Sequence, residues 1–256
     1  MGVEKEKVLG VSFFQGSVTA ACNLARKGGL IVAPSGPGMA SDLQNRDGYV
    51  KALLCADVCL LDSGLISLWS KFFRCKSLVR LSGLAFLGQY LKSTDWKKEK
   101  ALWVMPNQQD SDRMLDWLTK EYGFCFDKNS VYIAPNYPQD GAITDPLLQQ
   151  KIEQFEPSNV FIQIGGGVQE RLGFFIQSMG KLDTSILCTG AALAFLSGRQ
   201  VKIPQWADFC FLGWAFRCLA NPRLFIPRYF RALKLIYLLT RYGSKLPKLN
   251  LRSNEI

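Results

Sequence analysis

Short, continuous apolar runs recur along the chain, and segments with helical spacing separate them. KVLGVSF (7–13), GLIVAPSGPG (29–38), DVCLLDSG (57–64), ALWVMPN (101–107), SVYIAPNYP (130–138), NVFIQIGGG (159–167) and the start of TSILCTGAALAFLSG (184–198) read as strands. GSVTAACNLARKG, ending at Gly28 and Gly29, reads as a helix, as do DGYVKALLCA, DSDRMLDWLTKEYG and DPLLQQKIEQFEP. A further helix is expected after Gln169 and Glu170. Unbroken apolar strands alternating with helices predict a Rossmann-like α/β fold: a parallel sheet with helices on both faces.

In such sheets ligands bind outside the carboxyl ends of the strands. Here those ends read PSGPG, DSG, GGGVQE and TGAA. Glycine lets a ligand approach the backbone, and the following helix N-termini offer free N–H groups. Gly165, Gly166, Gly167, Gln169, Glu170, Thr189 and Gly190 are therefore candidate binding residues. The spacing is not GxGxxG, and no GxxxxGK[ST] occurs, so on the glycines alone a structural turn and a ligand cradle stand equally open.

Composition narrows the chemistry. Histidine is absent, which excludes His-dependent zinc sites and His-based nucleophile triads. Proton transfer then falls to a carboxylate, Lys, Tyr or Cys. The net charge of +10 suits an anionic partner. Residues 199–256 hold eleven Lys and Arg against two acids, a balance of +9, so most of the surplus sits at the C-terminal end.

In that segment Phe225, Tyr229, Leu233, Ile236 and Leu239 recur at helical spacing among Arg228, Arg231, Lys234 and Arg241, with Pro227 expected at a helix start. Such a stretch suits a membrane interface, or a last helix packed on its own core; nucleic acid ranks third, because no RNA-binding signature is present.

The eight cysteines form no CxxC pair and are expected to be buried, reduced thiols. The start MGVEKEK has no apolar leader region, and no uncharged apolar stretch is long enough to span a bilayer. Asp110-Ser111-Asp112 mimics a metal-binding DxD, but acids are favoured at a helix start in any case.

Several segments, taken in order, resemble the WecG/TagA/CpsF family of bacterial glycosyltransferases (glycosyltransferase family 26). They are VAPSGPG, ADVCLLDSG, GGGVQE, CTGAALAFLSG, KIPQWAD and GWAFRCLANPRLFIPRY, spread over some 220 residues. The resemblance departs at Gly167 and Val168, where the family has Pro and Lys; at Gly213, where it has Glu; and at Ala85, where it has Asp.

The resemblance implies an inverting transferase that uses no metal or other cofactor. It would pass a sugar, such as an N-acetylated amino sugar or related hexose, from a UDP-sugar to a polyprenyl-diphosphate-linked saccharide. The enzyme would work in the cytoplasm at the inner face of the membrane, against an anionic surface, in cell-surface polysaccharide synthesis. No nucleic acid partner is expected, and homo-oligomerisation stays open.

By the same resemblance Asp62 is the candidate general base and Ser35 the nearest match to a substrate-binding Thr. Gln169 would hold the donor, and Glu170 beside it either joins it or only caps the following helix. Arg217, Arg223 and Arg228 would neutralise the leaving diphosphate. Residues 1–198 are expected to form the α/β catalytic domain, and 199–256 a membrane-associating appendage that completes the site. The alternative is a non-catalytic nucleotide-sugar binder or membrane scaffold derived from the family.

Overall fold

The computed structural model describes residues 4–126, 129–180, 183–198, 213–220 and 222–250. Among the described residues eight strands form one sheet: β1 (Lys5–Val8), β2 (Val11–Phe14), β3 (Gly29–Val32), β4 (Val58–Cys59), β5 (Ala101–Met105), β6 (Val131–Ile133), β7 (Asn159–Ile162) and β8 (Ser185–Cys188). Their order is β1-β2-β4-β3-β8-β7-β5-β6. All neighbouring pairs are parallel except β1 with β2. The expected Rossmann-like α/β architecture is present, with one antiparallel edge.

That edge corrects the reading of KVLGVSF as one strand. Leu9 and Gly10 both take positive φ, 52° and 80°, so the run folds back as a two-residue hairpin. The tip is tied to the far end of the chain: the N–H of Leu9 donates to the Gly243 carbonyl (2.8 Å), and that of Gly10 to Ser244 (3.0 Å).

The strands are apolar on both faces because both faces are covered. Leu30 and Val32 of β3, Leu102 and Val104 of β5, and Ile186 and Cys188 of β8 face one core. That side carries α2 (Gly36–Asp42), α3 (Asp47–Cys55), α7 (Pro146–Phe155), α8 (Val168–Ser178) and the long C-terminal helix α11 (Pro222–Tyr242). Ile31, Trp103, Phe161 and Leu187 face the other core, under α1 (Val18–Ala25), α5 (Gly83–Lys92), α6 (Gln108–Tyr122) and α9 (Ala192–Leu196). There Trp103 stacks on Phe161 with ring centroids 4.0 Å apart. The helices α4 (Gly64–Phe73) and α10 (Gly213–Ala220) complete the set among the described residues.

Three helices begin on a Ser-Gly pair. Ser35, Ser63 and Ser82 each accept a backbone N–H from the first turn of α2, α4 and α5. The turn read in PSGPG is therefore the start of α2. Pro227 lies inside α11 rather than at its start, a position filled by Pro222; the helix forgoes one backbone bond there. The buried face of α11, Leu235, Leu238 and Leu239, joins the same core as α2.

Among the described cysteines, Cys22, Cys59 and Cys188 are buried as expected, but Cys55, Cys75 and Cys125 are exposed; Cys210 lies outside the described residues. All described cysteines are free.

Candidate active site

Strands β4, β3, β8 and β7 are parallel neighbours, so their carboxyl ends lie side by side, where open α/β sheets place their ligand crevice. The register Val32↔Cys188 sets Ala33 beside Thr189, and the N–H of Ala33 donates to the Cys188 carbonyl at 3.0 Å. Ser35 follows. Its hydroxyl oxygen accepts the Gly38 N–H at 3.2 Å, which leaves its own hydrogen free to donate to a ligand. From β4 the chain runs through Leu60 and Leu61 to Asp62, which is half-buried.

The next segment returns to the same place. The N–H of Gly83, in the first turn of α5, points at Asp62 Oδ1 at 3.4 Å. The guanidinium Nε of Arg80 donates to the Asp62 carbonyl at 3.1 Å.

Two glycines let these loops meet. A Cβ on Gly36 would lie 2.7 Å from Ser63 Oγ and 3.4 Å from Leu235 of α11, so the C-terminal helix reaches the β3 exit. A Cβ on Gly83 would lie 2.8 Å from the Thr189 carbonyl oxygen and 3.2 Å from the Ala33 Cβ. Gly83→Ala should therefore push the start of α5 away from β8 and off Asp62. We expect kcat/KM to fall on the order of 10- to 100-fold, with a folded chain by circular dichroism; unchanged kinetics would show that this contact does not position the carboxylate.

On the β7 side the glycine turn is open. Gly165 has φ +102° and Gly167 φ +86°, and a Cβ on Gly165 or Gly166 would meet nothing. The residues that follow turn inward. Gln169 and Glu170 are each 1% exposed. Gln169 Oε1 accepts the Gly190 N–H at 3.2 Å, while its Nε2 donates to Glu170 Oε1, also at 3.2 Å. Glu170 Oε2 accepts the Gly167 N–H at 2.6 Å and so caps α8. Thr189 is buried, and its hydroxyl accepts from Gln163 Nε2 at 3.4 Å. The amide and the carboxylate thus lock the β7 turn to the β8 turn.

Asp42 and Arg46 lie under the same turn. A Cβ on Gly167 would meet Asp42 Oδ2 at 2.8 Å, and Arg46 bridges to that oxygen at 3.3 Å. Arg171 spans outward and donates to the carbonyls of Gly167, Gly141 and Pro138.

Burial pushes the Glu170 carboxyl up to about 7, and raises that of Asp42. The folded chain keeps the Glu170 proton at pH values where the unfolded chain has released it. The contribution of Glu170 to stability is therefore fully present below pH about 4.5 and is lost as pH rises through about 7. The unfolding free energy from urea denaturation should fall between pH 5 and 7.5, by up to about 3 kcal/mol. Glu170→Gln should flatten that dependence; a variant as pH-sensitive as the wild type would assign it elsewhere.

Of the remaining candidates, Arg223 is exposed on α11. Arg217 lies on α10 and Arg228 on α11, but their side chains are outside the described residues. Asp110 and Asp112 belong to the first turns of α6, where they bond to Asn107 (2.8 Å) and Gln108 (2.6 Å). Among the described residues no group of three or more His, Cys, Asp or Glu could hold a metal ion. Gln163, Arg80, Ser63 and Gly83 were not singled out in the sequence. The repeated Ser-Gly-Leu at 63–65 and 82–84 was the available signal for two of them.

A model of the family described as "Glycosyl transferase WecG/TagA/CpsF family" matches residues 6–248. No curated protein matches the chain significantly. The family match spans both the sheet and the C-terminal helices around this crevice, and the chain belongs to the WecG/TagA/CpsF family of glycosyltransferases.

Proposed function

We propose that the chain moves an N-acetylated amino sugar or related hexose from a UDP-sugar to a polyprenyl-diphosphate-linked saccharide, with inversion and without a divalent metal. As a family member it is a glycosyltransferase of cell-surface polysaccharide synthesis, with a nucleotide-sugar donor and a saccharide acceptor. The observation that carries the finer reading is the carboxylate of Asp62. It stands at the β4 exit, held by the Gly83 N–H, where the β3 and β8 exits also converge.

In this reading Asp62 takes the proton from the acceptor hydroxyl as its oxygen attacks the anomeric carbon. The bond to the diphosphate breaks on the opposite face, and UDP leaves. Ser35 donates its hydroxyl hydrogen to substrate. The open amides at Gly165 and Gly166 receive the donor, and Gln169 and Glu170 hold the turn that presents them. Arg217, Arg223 and Arg228 neutralise the departing diphosphate, as Mg²⁺ does in other transferases.

Peripheral attachment at the inner face of the membrane is supported by α11. Opposite its buried leucines, Ile226, Phe230, Leu233 and Tyr237 are exposed at helical spacing. Among the described residues no helix is long and apolar enough to cross a membrane.

The test is transfer by the full chain in EDTA, with a panel of UDP-sugars and polyprenyl-diphosphate saccharides. Labelled sugar should appear on the lipid with inverted anomeric configuration. Transfer that requires added Mg²⁺ or Mn²⁺, or a product of retained configuration, would overturn the mechanism.

A further inference from the structure

The tip of α4 presents two adjacent aromatics to solvent: Phe72 is 72% exposed and Phe73 71%. Single exposed apolar residues are ordinary, but a neighbouring pair of this size on a helix end is not. The pair is also held in place. Phe73 stacks on the buried ring of Trp69, with centroids 6.4 Å apart and an interplanar angle of 21°. The helix end is clamped beneath it: the Ser70 hydroxyl donates to the Lys76 carbonyl at 2.9 Å, and the N–H groups of Arg74 and Lys76 donate to the Ser70 carbonyl at 3.0 and 3.2 Å.

The surrounding charge selects the partner. The segment Lys71-Phe72-Phe73-Arg74-Cys75-Lys76 carries three cations and no acid. Among the described residues, Glu6 of β1 pairs with Arg74 (3.4 Å) and Lys76 (2.5 Å) and lies deeper than either. The outer surface of the tip is thus aromatic and positive, the combination that suits a headgroup layer with anionic lipid. Its position fits as well. α4 starts directly after Asp62 and has ten residues, so its tip stands about 15 Å from the carboxylate. α11 packs against α4 and α2, which makes tip, C-terminal helix and crevice one body.

We infer that the α4 tip is a second membrane-docking element, in which Phe72 and Phe73 enter the interface of an anionic bilayer while Lys71, Arg74 and Lys76 meet lipid phosphates. The inference rests on the lipid-linked-acceptor reading. It explains how that acceptor is met: a saccharide projecting from the bilayer would reach Asp62 within one helix length, independently of the exposed stripe on α11.

The test is co-sedimentation of the full chain with vesicles of phosphatidylcholine alone or with phosphatidylglycerol. Wild type should bind the anionic vesicles. Phe72→Ser/Phe73→Ser should bind at least tenfold more weakly, and Lys71→Glu should weaken binding only where phosphatidylglycerol is present. Phe72→Ser alone leaves the Trp69 stack intact and guards against misfolding of the double variant; it should still lose several-fold.

Wild type that ignores anionic vesicles would sink the membrane reading as a whole. Equal binding by wild type and the Phe variants would sink the assignment to α4 alone. Loss of a concentration-dependent dimer on light scattering, with vesicle binding unchanged, would assign the pair to a second copy of the chain and overturn the proposal.

Discussion

Asp62→Asn should lower kcat by about 10²- to 10⁴-fold, the usual contribution of a positioned general base, while UDP affinity stays unchanged. The substitution is nearly isosteric. Its amide oxygen can still accept the Gly83 N–H that now reaches Oδ1 at 3.4 Å. The substitution removes the capacity to take a proton. Steady-state kinetics on a lipid-linked acceptor, with calorimetry against UDP, separate the two effects. A variant with wild-type kcat would remove Asp62 from the mechanism. A variant that also loses UDP would make the carboxylate a binding group.

Gly167→Pro, the residue that the resemblance places here, should destabilise the chain by at least about 3 kcal/mol. Proline fixes φ near −65°, whereas Gly167 stands at +86°. Proline also removes the N–H that Glu170 Oε2 accepts at 2.6 Å, leaving a buried carboxyl oxygen without that donor. Its added atoms would run into Asp42 Oδ2, already 2.8 Å from where a Cβ would sit. Urea denaturation measures the loss. Gly166→Ala is the matched control: a Cβ there meets nothing, so stability should stay within about 0.5 kcal/mol. A proline variant as stable as that control would mean the turn takes another conformation. At Gly167 the positive φ fits glycine, and Asp42 and Arg46 fill the space beneath it.

Most of the sheet was legible because its strands are buried on both faces and so read as unbroken apolar runs. LIV, LWVM and VFI were placed correctly for that reason. The hairpin at Leu9 and Gly10 was not, because its turn is two residues long and one of them is leucine, an uncommon residue at positive φ. α2 was missed because GPGMASD has poor intrinsic helix propensity; packing against α11 sustains it instead. α4 and α5 open on Ser-Gly, a pair that also ends α9, where Gly198 has φ +73°. The dipeptide alone does not say which end of a helix it marks.

The candidate site was legible as a set of strand exits, since glycine, serine and one carboxylate cluster there in sequence. Glu170 was legible as a cap of the following helix; the inward turn of Gln169 was not. Nothing in GGGVQE distinguishes a side chain that faces a ligand from one that ties two loops together; only the approach of Gly190 and the buried carboxyl decide it. The basic C-terminal segment was legible as amphipathic. Which of its faces is buried depended on the long-range fit of Leu235 against Gly36.

Amide hydrogen exchange on the full chain, with and without UDP, tests the location of the donor site most directly. The account predicts slowed exchange at Gly83, at Gly190 and across the turn 165–167, with little change at the start of α6 around Asp110. Protection confined to that region, or to surfaces away from the β3, β4 and β8 exits, would contradict it.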